Sequence, residues 1–249
     1  MIIIKNNKEI ALMRSAGKIV AETLLLVEEK VRPGITTAEL DRIAEEFITK
    51  HGAKPSFKGL YGFPASLCIS VNEQVVHGIP GGYVLKDGDI ISVDCGVHMN
   101  GFHGDAARTF GVGNITDEAK QLINVTKESF FKGIEYAKVG NRLTDISHGI
   151  QSYVEASGFS VVRDFVGHGI GRVVHEDPEV PNYGQPGRGP KLVEGMALAI
   201  EPMVNVGSYK VKTLKDNWTV VTSDGSLSAH YENTIVILPD GPEILTLIK

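Results

Sequence analysis

Two aspartates, Asp94 and Asp105, are the first residues whose types and spacing could do chemistry. Asp94 ends an apolar, strand-like segment, and the Asn100-Gly101 pair between the aspartates is typical of a type I′ hairpin turn. A hairpin with this turn pairs Asp105 with Gly96, so both carboxylates lie on one face as diagonal neighbours. A solvated acidic strand face is the alternative, but the apolar neighbours indicate burial, which is costly for unpaired carboxylates. The spacing therefore favours a cation that both aspartates bind.

An imidazole and two more carboxylates follow at positions that could join this pair. His168 lies between Gly167 and Gly169, where the lack of side chains lets the backbone approach a ligand closely. Glu201 ends a second apolar segment, and Glu232 leads directly into a third. Four carboxylates and one imidazole suit two divalent ions held by shared carboxylates, an arrangement used for metal-assisted hydrolysis. The candidate ligands are therefore Asp94, Asp105, His168, Glu201 and Glu232.

The composition excludes several other classes of protein. Lys and Arg total 25 against 30 Asp and Glu, and this net charge of −5 is unfavourable for binding nucleic acid or an anionic membrane. No apolar run approaches the ~18 residues of a membrane span, and Lys5 interrupts the apolar start before a signal peptide could form. The two cysteines, Cys68 and Cys95, indicate neither a disulfide framework nor a thiolate zinc site. We expect a soluble, cytoplasmic protein.

The hydrophobic periodicity predicts two pairs of helices, each pair followed by strands. Apolar residues that recur at three- and four-residue spacing indicate a helix, and Thr36 is a candidate cap for the second one. The predicted helices span about 10–29, 37–52, 117–136 and 143–156. The predicted strands include 67–71, 89–95, 160–162 and 196–201. The same order of elements thus occurs twice.

The two halves also match residue by residue at a nearly constant offset. Gly34 aligns with Gly140 at an offset of 106 residues, and Asp94 aligns with Glu201 at an offset of 107. Any one match could reflect the general similarity of helix–glycine–strand units, but several in one order favour a repeated unit. We predict an α+β fold in which two helix–helix–strand halves, related by a pseudo-two-fold axis, surround a curved antiparallel sheet. The stretch 184–190 is expected to be a surface loop rather than an interdomain linker.

These motifs closely resemble methionine aminopeptidases of the short bacterial type I form. The resemblance covers about residues 10–246 and rests on Gly167-His168-Gly169-Ile170-Gly171 with His175, the two aspartates, Ile200-Glu201-Pro202 and Glu232. It implies the pita-bread fold and a single metallo-aminopeptidase catalytic domain over residues 1–249. It also implies that the initiator methionine is removed by a water that two metal ions activate, with a small second residue preferred.

The resemblance assigns a role to each candidate ligand. Asp94 would chelate one ion, Asp105 and Glu232 would bridge both, and His168 and Glu201 would complete the other. Glu201 would also shuttle a proton. The implied cofactors are two divalent ions, which could be cobalt, manganese, iron or zinc. The implied partners are nascent polypeptide N-termini that begin with Met, with transient contact to the ribosome, and we expect a monomer.

Two further histidines and a pocket follow from the same resemblance. His77 and His175 would contact the scissile amide and stabilise the tetrahedral intermediate, although a lone histidine is more often a surface or core residue. The walls of the methionine pocket would be Leu60, Phe63, Cys68 and Trp218, with Val174 beside His175. Asn233 stands where many relatives have a histidine directly after the last ligand.

Two other functions remain as alternatives. One is a proline-specific aminopeptidase or prolidase of the same fold, and the other is a non-catalytic pita-bread binding protein. Proline-specific relatives usually carry an additional N-terminal domain, whereas this chain begins within about ten residues of the shared fold. Non-catalytic relatives typically lose ligands, and all five are retained here. We therefore expect a methionyl aminopeptidase.

Overall fold

Both predicted helix pairs are present, and local sequence explains where their helices begin. The computed structural model describes residues 1–248, and its α-helices are α1 (Asn7–Lys30), α2 (Thr37–Lys50), α3 (Asp117–Ile134) and α4 (Leu143–Ala156). Asn6 accepts hydrogen bonds from the Lys8 and Glu9 amides, and Glu9 accepts one from the Asn6 amide, so α1 begins earlier than predicted. Thr36 accepts a hydrogen bond from the Glu39 amide, which confirms the predicted cap of α2.

The strands are short and divide between the two halves. Those of the first half are β1 (Lys54–Pro55), β2 (Leu67–Val71), β3 (Gln74–Val76), β4 (Ile90–Met99) and β5 (Phe102–Gly111), with a 3₁₀ turn at Leu60–Gly62. Those of the second half are β6 (Ser160–Val161), β7 (Gly167–Gly169), β8 (Glu176–Val180), β9 (Ala197–Ile200), β10 (Met203–Asn205), β11 (Val211–Thr213), β12 (Val220–Thr222), β13 (Ser228–His230), β14 (Asn233–Leu238) and β15 (Gly241–Ile244). The glycine-rich stretch 184–190 is a loop, as predicted.

Within residues 1–248 all strand pairs are antiparallel, and they form four sheets rather than one continuous sheet. β4 pairs with β1, β2 and β5, while β14, β9 and β7 form the middle of a five-stranded sheet that β15 and β8 complete. β10 lies between β13 and β6, and β12 lies between β11 and β3. Alternating hydrophobicity predicts strands, but it does not show which neighbouring strands lack backbone hydrogen bonds to one another.

The predicted repeat is visible in equivalent hydrogen bonds. The Gly34 amide donates to the Leu85 carbonyl at 2.8 Å, and the Gly140 amide donates to the Leu192 carbonyl at 2.9 Å. Each half also has its own apolar core, one packed under α1 and α2 and the other under α3 and α4. No helix within residues 1–248 is long and apolar enough to cross a membrane.

The two halves meet along β5 and the segment 230–234. Three pairs follow one another in antiparallel order: Thr109 with His230, Ala107 with Glu232, and Asp105 with Thr234. The middle pair exchanges backbone hydrogen bonds, and each outer pair uses a threonine hydroxyl that both donates and accepts. Candidate ligands from both halves are thus fixed at one junction.

Candidate metal centre and substrate pocket

The β4–β5 hairpin has the predicted turn and register. Asn100 and Gly101 have φ angles of 54° and 81°, in the left-handed region that a type I′ turn requires. Asp105 faces Gly96, two residues from Asp94, so the two carboxylates are diagonal neighbours on one face. This part of the sequence interpretation is confirmed.

A row of opposed residues connects this hairpin to its neighbours. Cys68 of β2 faces Asp94 of β4, Asp94 faces Ala107 of β5, and Ala107 exchanges backbone hydrogen bonds of 3.0 and 3.3 Å with Glu232. Directly opposed residues of an antiparallel sheet lie on the same face. The short side chain of Ala107 therefore leaves space between the carboxylates of its neighbours.

The remaining candidate ligands converge on the same place from β7 and the end of β9. One ligand atom each of Asp105, His168 and Glu232 lie within 4.8 Å of one another. His168 Nε2 is 3.7 Å from Glu201 Oε1. Asp94, Asp105, His168, Glu201 and Glu232 all line one cavity.

The two glycines beside His168 are required by the packing of the neighbouring strands. A Cβ on Gly167 would lie 2.4 Å from the Ala199 carbonyl oxygen, and one on Gly169 would lie 2.1 Å from the Asp177 carbonyl oxygen. The glycines therefore allow the neighbouring strands to pack closely on both sides of β7. His168 Nδ1 lies 2.8 Å from the Gly169 carbonyl oxygen, so Nδ1 carries the proton that it donates and Nε2 keeps a free lone pair.

His230 is a member of the cluster that sequence reasoning missed. It is 2% exposed, and its Nε2 lies 3.7 Å from Glu201 Oε2 and 3.9 Å from Glu232 Oε2. These three residues form a second group whose ligand atoms lie within 4.8 Å of one another. The only signal in the sequence was its position two residues before Glu232, where it reads as an ordinary strand residue.

Burial shifts the pKa of every group in this cluster towards its neutral form. Desolvation raises the pKa of Asp94 to about 7. Desolvation, together with the neighbouring carboxylates, raises the pKa values of Asp105, Glu201 and Glu232 well above their ordinary range. Desolvation lowers the pKa of His168 to about 4. Four carboxylates crowded in this way need positive charge to remain ionised at neutral pH.

The donor set fits divalent ions. Asp94 Oδ1, Asp105 Oδ1 and Glu232 Oε1 are buried, and none of them has a hydrogen-bond partner among residues 1–248. An uncompensated buried carboxylate costs several kcal/mol, and a cation would remove that cost. Carboxylate oxygen and imidazole nitrogen are ligands that manganese, iron, cobalt and zinc all accept.

The cavity that these ligands line has a volume of about 560 Å³, and both additional histidines line it too. His77 packs edge-on against Phe165, and desolvation and the nearby His175 lower its pKa to about 4. His175 packs edge-on against His168 with ring centroids 4.5 Å apart, and desolvation lowers its pKa too. Both imidazoles are therefore neutral at pH 7 and face the same space.

The four residues predicted for the methionine pocket line the apolar part of this cavity. Phe63 and Trp218 pack edge-to-face with ring centroids 5.1 Å apart, while Leu60 and Cys68 belong to the same apolar cluster. Val174 also belongs to that cluster but does not line the cavity. Sequence reasoning missed three aromatic residues of the lining: Phe57, Tyr61 and Phe165.

Comparison with known proteins identifies the family. The model of metallopeptidase family M24 matches residues 11–239. A methionine aminopeptidase of Clostridium perfringens is 80% identical over 249 residues, which is the full length of both chains. The chain belongs to the methionine aminopeptidases of metallopeptidase family M24. As a methionine aminopeptidase it is a metal-dependent hydrolase.

Solved structures support the same family and its pita-bread fold. The crystal structure of a methionine aminopeptidase from Rickettsia prowazekii matches with a TM-score of 0.98 and 47% identity, covering 99% of this chain and 100% of that one. A prolidase from Pyrococcus horikoshii matches with a TM-score of 0.81 and 24% identity, and the match covers 64% of its length. At 24% identity the prolidase likeness shows the fold alone, whereas the methionine aminopeptidase matches at 47% identity. The proline-specific alternative is therefore not favoured.

Proposed function

We propose that the chain removes the initiator methionine from nascent proteins and peptides whose second residue is small, using two divalent ions. One observation carries this proposal. The pairing of Cys68 with Asp94 joins an apolar pocket directly to a cluster of carboxylates and imidazoles. A hydrophobic N-terminal side chain in that pocket would hold its own peptide bond beside the cluster.

Asp94, Asp105, His168, Glu201 and Glu232 would hold the two ions, with Asp105 and Glu232 shared between them. Four carboxylates carry a charge of about −4 when ionised, which two divalent ions would balance. The free lone pair on His168 Nε2 is the imidazole ligand that such an ion requires. When bound, the ions would lower the pKa of a water to about 7 and polarise the substrate carbonyl.

The protein's own groups would position the peptide and move its protons. Neutral His77 and His175 each have one N–H donor and one acceptor nitrogen, so they can accept from the substrate amide N–H or donate to the developing oxyanion. The two carboxylate oxygens of Glu201 lie 3.7 Å from different groups, Oε1 from His168 and Oε2 from His230, so one could bind an ion while the other takes a proton from water and passes it to the leaving amine. Trp218 and Phe63 would exclude water from the pocket.

We also propose a single catalytic domain over residues 1–249 that works in the cytoplasm as a monomer, with transient contact to the ribosome. The net charge of −5 is unfavourable for general binding to nucleic acid. The contact with the ribosome would therefore be directed by the nascent chain that is the substrate.

Peptide hydrolysis tests the proposed function. Purified protein with added Mn²⁺ or Co²⁺ should release Met from Met-Ala and Met-Gly peptides and fail on Met-Leu and Met-Arg peptides. Xaa-Pro dipeptides provide the control for a prolidase. Preferential cleavage of Xaa-Pro, or equal rates on Met-Ala and Met-Leu, would overturn the proposal.

A further inference from the structure

Arg108 is a half-buried cation close to the candidate metal ligands, and neither the sequence motifs nor the proposed mechanism uses it. Its guanidinium lies 4.3 Å from the centre of the Tyr231 ring. Nη1 donates hydrogen bonds to the carbonyl oxygens of Ala107 and Glu232. Nη2 donates to Asn233 Oδ1 at 2.7 Å and to the Thr246 carbonyl at 3.3 Å. One side chain thus contacts the backbone on both sides of the junction.

These contacts restrain the peptide unit that carries Glu232. The Glu232 amide donates to the Ala107 carbonyl at 3.0 Å, and the Glu232 carbonyl accepts from both the Ala107 amide and Arg108. The side chain of the next residue is held as well, because Asn233 Oδ1 accepts from Arg108 and from the Thr246 hydroxyl at 3.0 Å. The backbone of this ligand has little freedom to rotate.

The same network reaches the second shared carboxylate. The Thr246 hydroxyl accepts a hydrogen bond from the Thr234 amide at 3.1 Å. The Thr234 hydroxyl in turn accepts from the Asp105 amide and donates to the Asp105 carbonyl, each at 2.9 Å. Arg108, Asn233 and Thr246 therefore form one continuous set of hydrogen bonds behind both Glu232 and Asp105.

We propose that Arg108 and Asn233 are positioning residues that fix the two shared carboxylates in the geometry that binds the metal pair. This inference rests on the proposed function and adds the residues on which the metal affinity of this chain depends. Taking a guanidinium partly out of water costs free energy, and apolar residues of similar volume often stabilise a fold as well or better. Loss of a hydrogen bond that orients a metal ligand, by contrast, commonly lowers metal affinity 10- to 100-fold.

The inference also gives a physical reason for the asparagine at position 233, where many relatives have a histidine. The Oδ1 atom makes both of the side chain's observed hydrogen bonds, while the buried Nδ2 atom has no partner among residues 1–248. The network thus uses Asn233 as an acceptor. An aspartate has the same acceptor oxygen and would face the positive charge of Arg108, whereas an alanine has no acceptor.

Metal titration of the intact chain tests this inference. Isothermal titration with Mn²⁺ measures affinity, and the visible spectrum of the Co²⁺-loaded protein reports the ligand geometry. We expect Asn233→Ala and Arg108→Met to weaken at least one binding step by about 10-fold or more and to change the Co²⁺ spectrum. Asn233→Asp should retain the parent's affinity and spectrum.

Arg14→Met is the matched control for loss of a guanidinium. Arg14 makes a two-pronged ion pair between α1 and Glu243, away from the ligands, so its removal should leave metal affinity unchanged. Circular dichroism verifies that each variant folds, and if Arg108→Met does not fold, the two Asn233 variants decide alone. Parent-like affinity in Asn233→Ala, or equal losses in the alanine and aspartate variants, would overturn the inference. Failure of the parent itself to bind metal or cleave Met-Ala would instead refute the proposed function.

Discussion

The Thr234 hydroxyl is bonded to both backbone groups of Asp105, accepting from its amide and donating to its carbonyl at 2.9 Å each. A side chain here replaces the strand-to-strand pairing that the neighbouring Ala107 and Glu232 make through their backbones. Thr234 and Asp105 are both buried, so water has little access to these groups. The position of a candidate metal ligand thus depends on one hydroxyl from the other half of the molecule.

Replacing Thr234 by valine should therefore weaken the fold. The change keeps the shape but leaves the Asp105 amide and carbonyl without this partner, and a buried unsatisfied group costs about 1–3 kcal/mol. Urea unfolding measures the loss. Thr213→Val on exposed β11 is the control and should change stability by less than about 0.5 kcal/mol. Equal stability of the two variants would show that the Thr234 contact contributes nothing.

Much of the fold was predictable because it depends on local signals. The helices, the Thr36 cap and the Asn100-Gly101 turn follow from periodicity, capping and turn chemistry, and the turn alone fixed the register of Asp94 against Asp105. The division of the strands into four sheets was not predictable, because it depends on how the two halves curve around each other.

The site was predictable where a residue type stands out in the sequence. His230 and Arg108 do not stand out, because the importance of His230 comes from its burial and that of Arg108 from neighbours distant in the chain. The glycines beside His168 are evident in the sequence, but the close packing of neighbouring strands against both of them is visible only in the structure. Their close approach to Ala199 and Asp177 shows that glycine was required by packing.

The His175→Ala variant should separate catalysis from metal binding. If His175 stabilises the developing oxyanion, its loss should lower kcat by on the order of 10²-fold or more, with metal content unchanged. His168→Ala should instead lower metal occupancy. Steady-state kinetics on Met-Ala peptides and metal analysis of the same samples give both readouts. His148→Ala on the exposed face of α4 is the control and should behave as the parent. Loss of metal in His175→Ala would contradict this division of roles.

The depressed pKa of His77 predicts how stability depends on pH. Its folded pKa of about 4 lies below the ordinary value of 6.5, so the unfolded chain binds a proton first as pH falls. Stability linked to His77 is therefore complete above pH 6.5 and is lost progressively down to about pH 4. Between pH 7.5 and pH 5 the loss should reach up to about 2 kcal/mol.

Replacing His77 by asparagine isolates this effect. His77 has a φ of 59°, and asparagine tolerates this left-handed conformation. The unfolding free energy of parent and variant, both metal-free, should be measured in urea at the two pH values. We expect the parent to lose more stability than the variant between them. Equal losses would mean that the His77 imidazole is not held neutral.

Metal removal should lower the thermal stability of the protein. Without ions, four like charges share a buried cluster, so desolvation and mutual repulsion favour proton uptake and weaken the fold. Binding that occurs only in the native state stabilises by roughly 2.7 kcal/mol at a free metal concentration of 100 times Kd. For a chain of this size each kcal/mol shifts the melting temperature by about 2–4 °C, so chelation should lower it by roughly 5–10 °C.

Thermal melts with a chelator, and then with Mn²⁺ or Co²⁺ restored, should be run beside Met-Ala hydrolysis. Both properties should fall and recover together, because the same ions fill the cluster and supply the chemistry. Hydrolysis that survives exhaustive chelation, at an unchanged melting temperature, would refute a metal pair at this site.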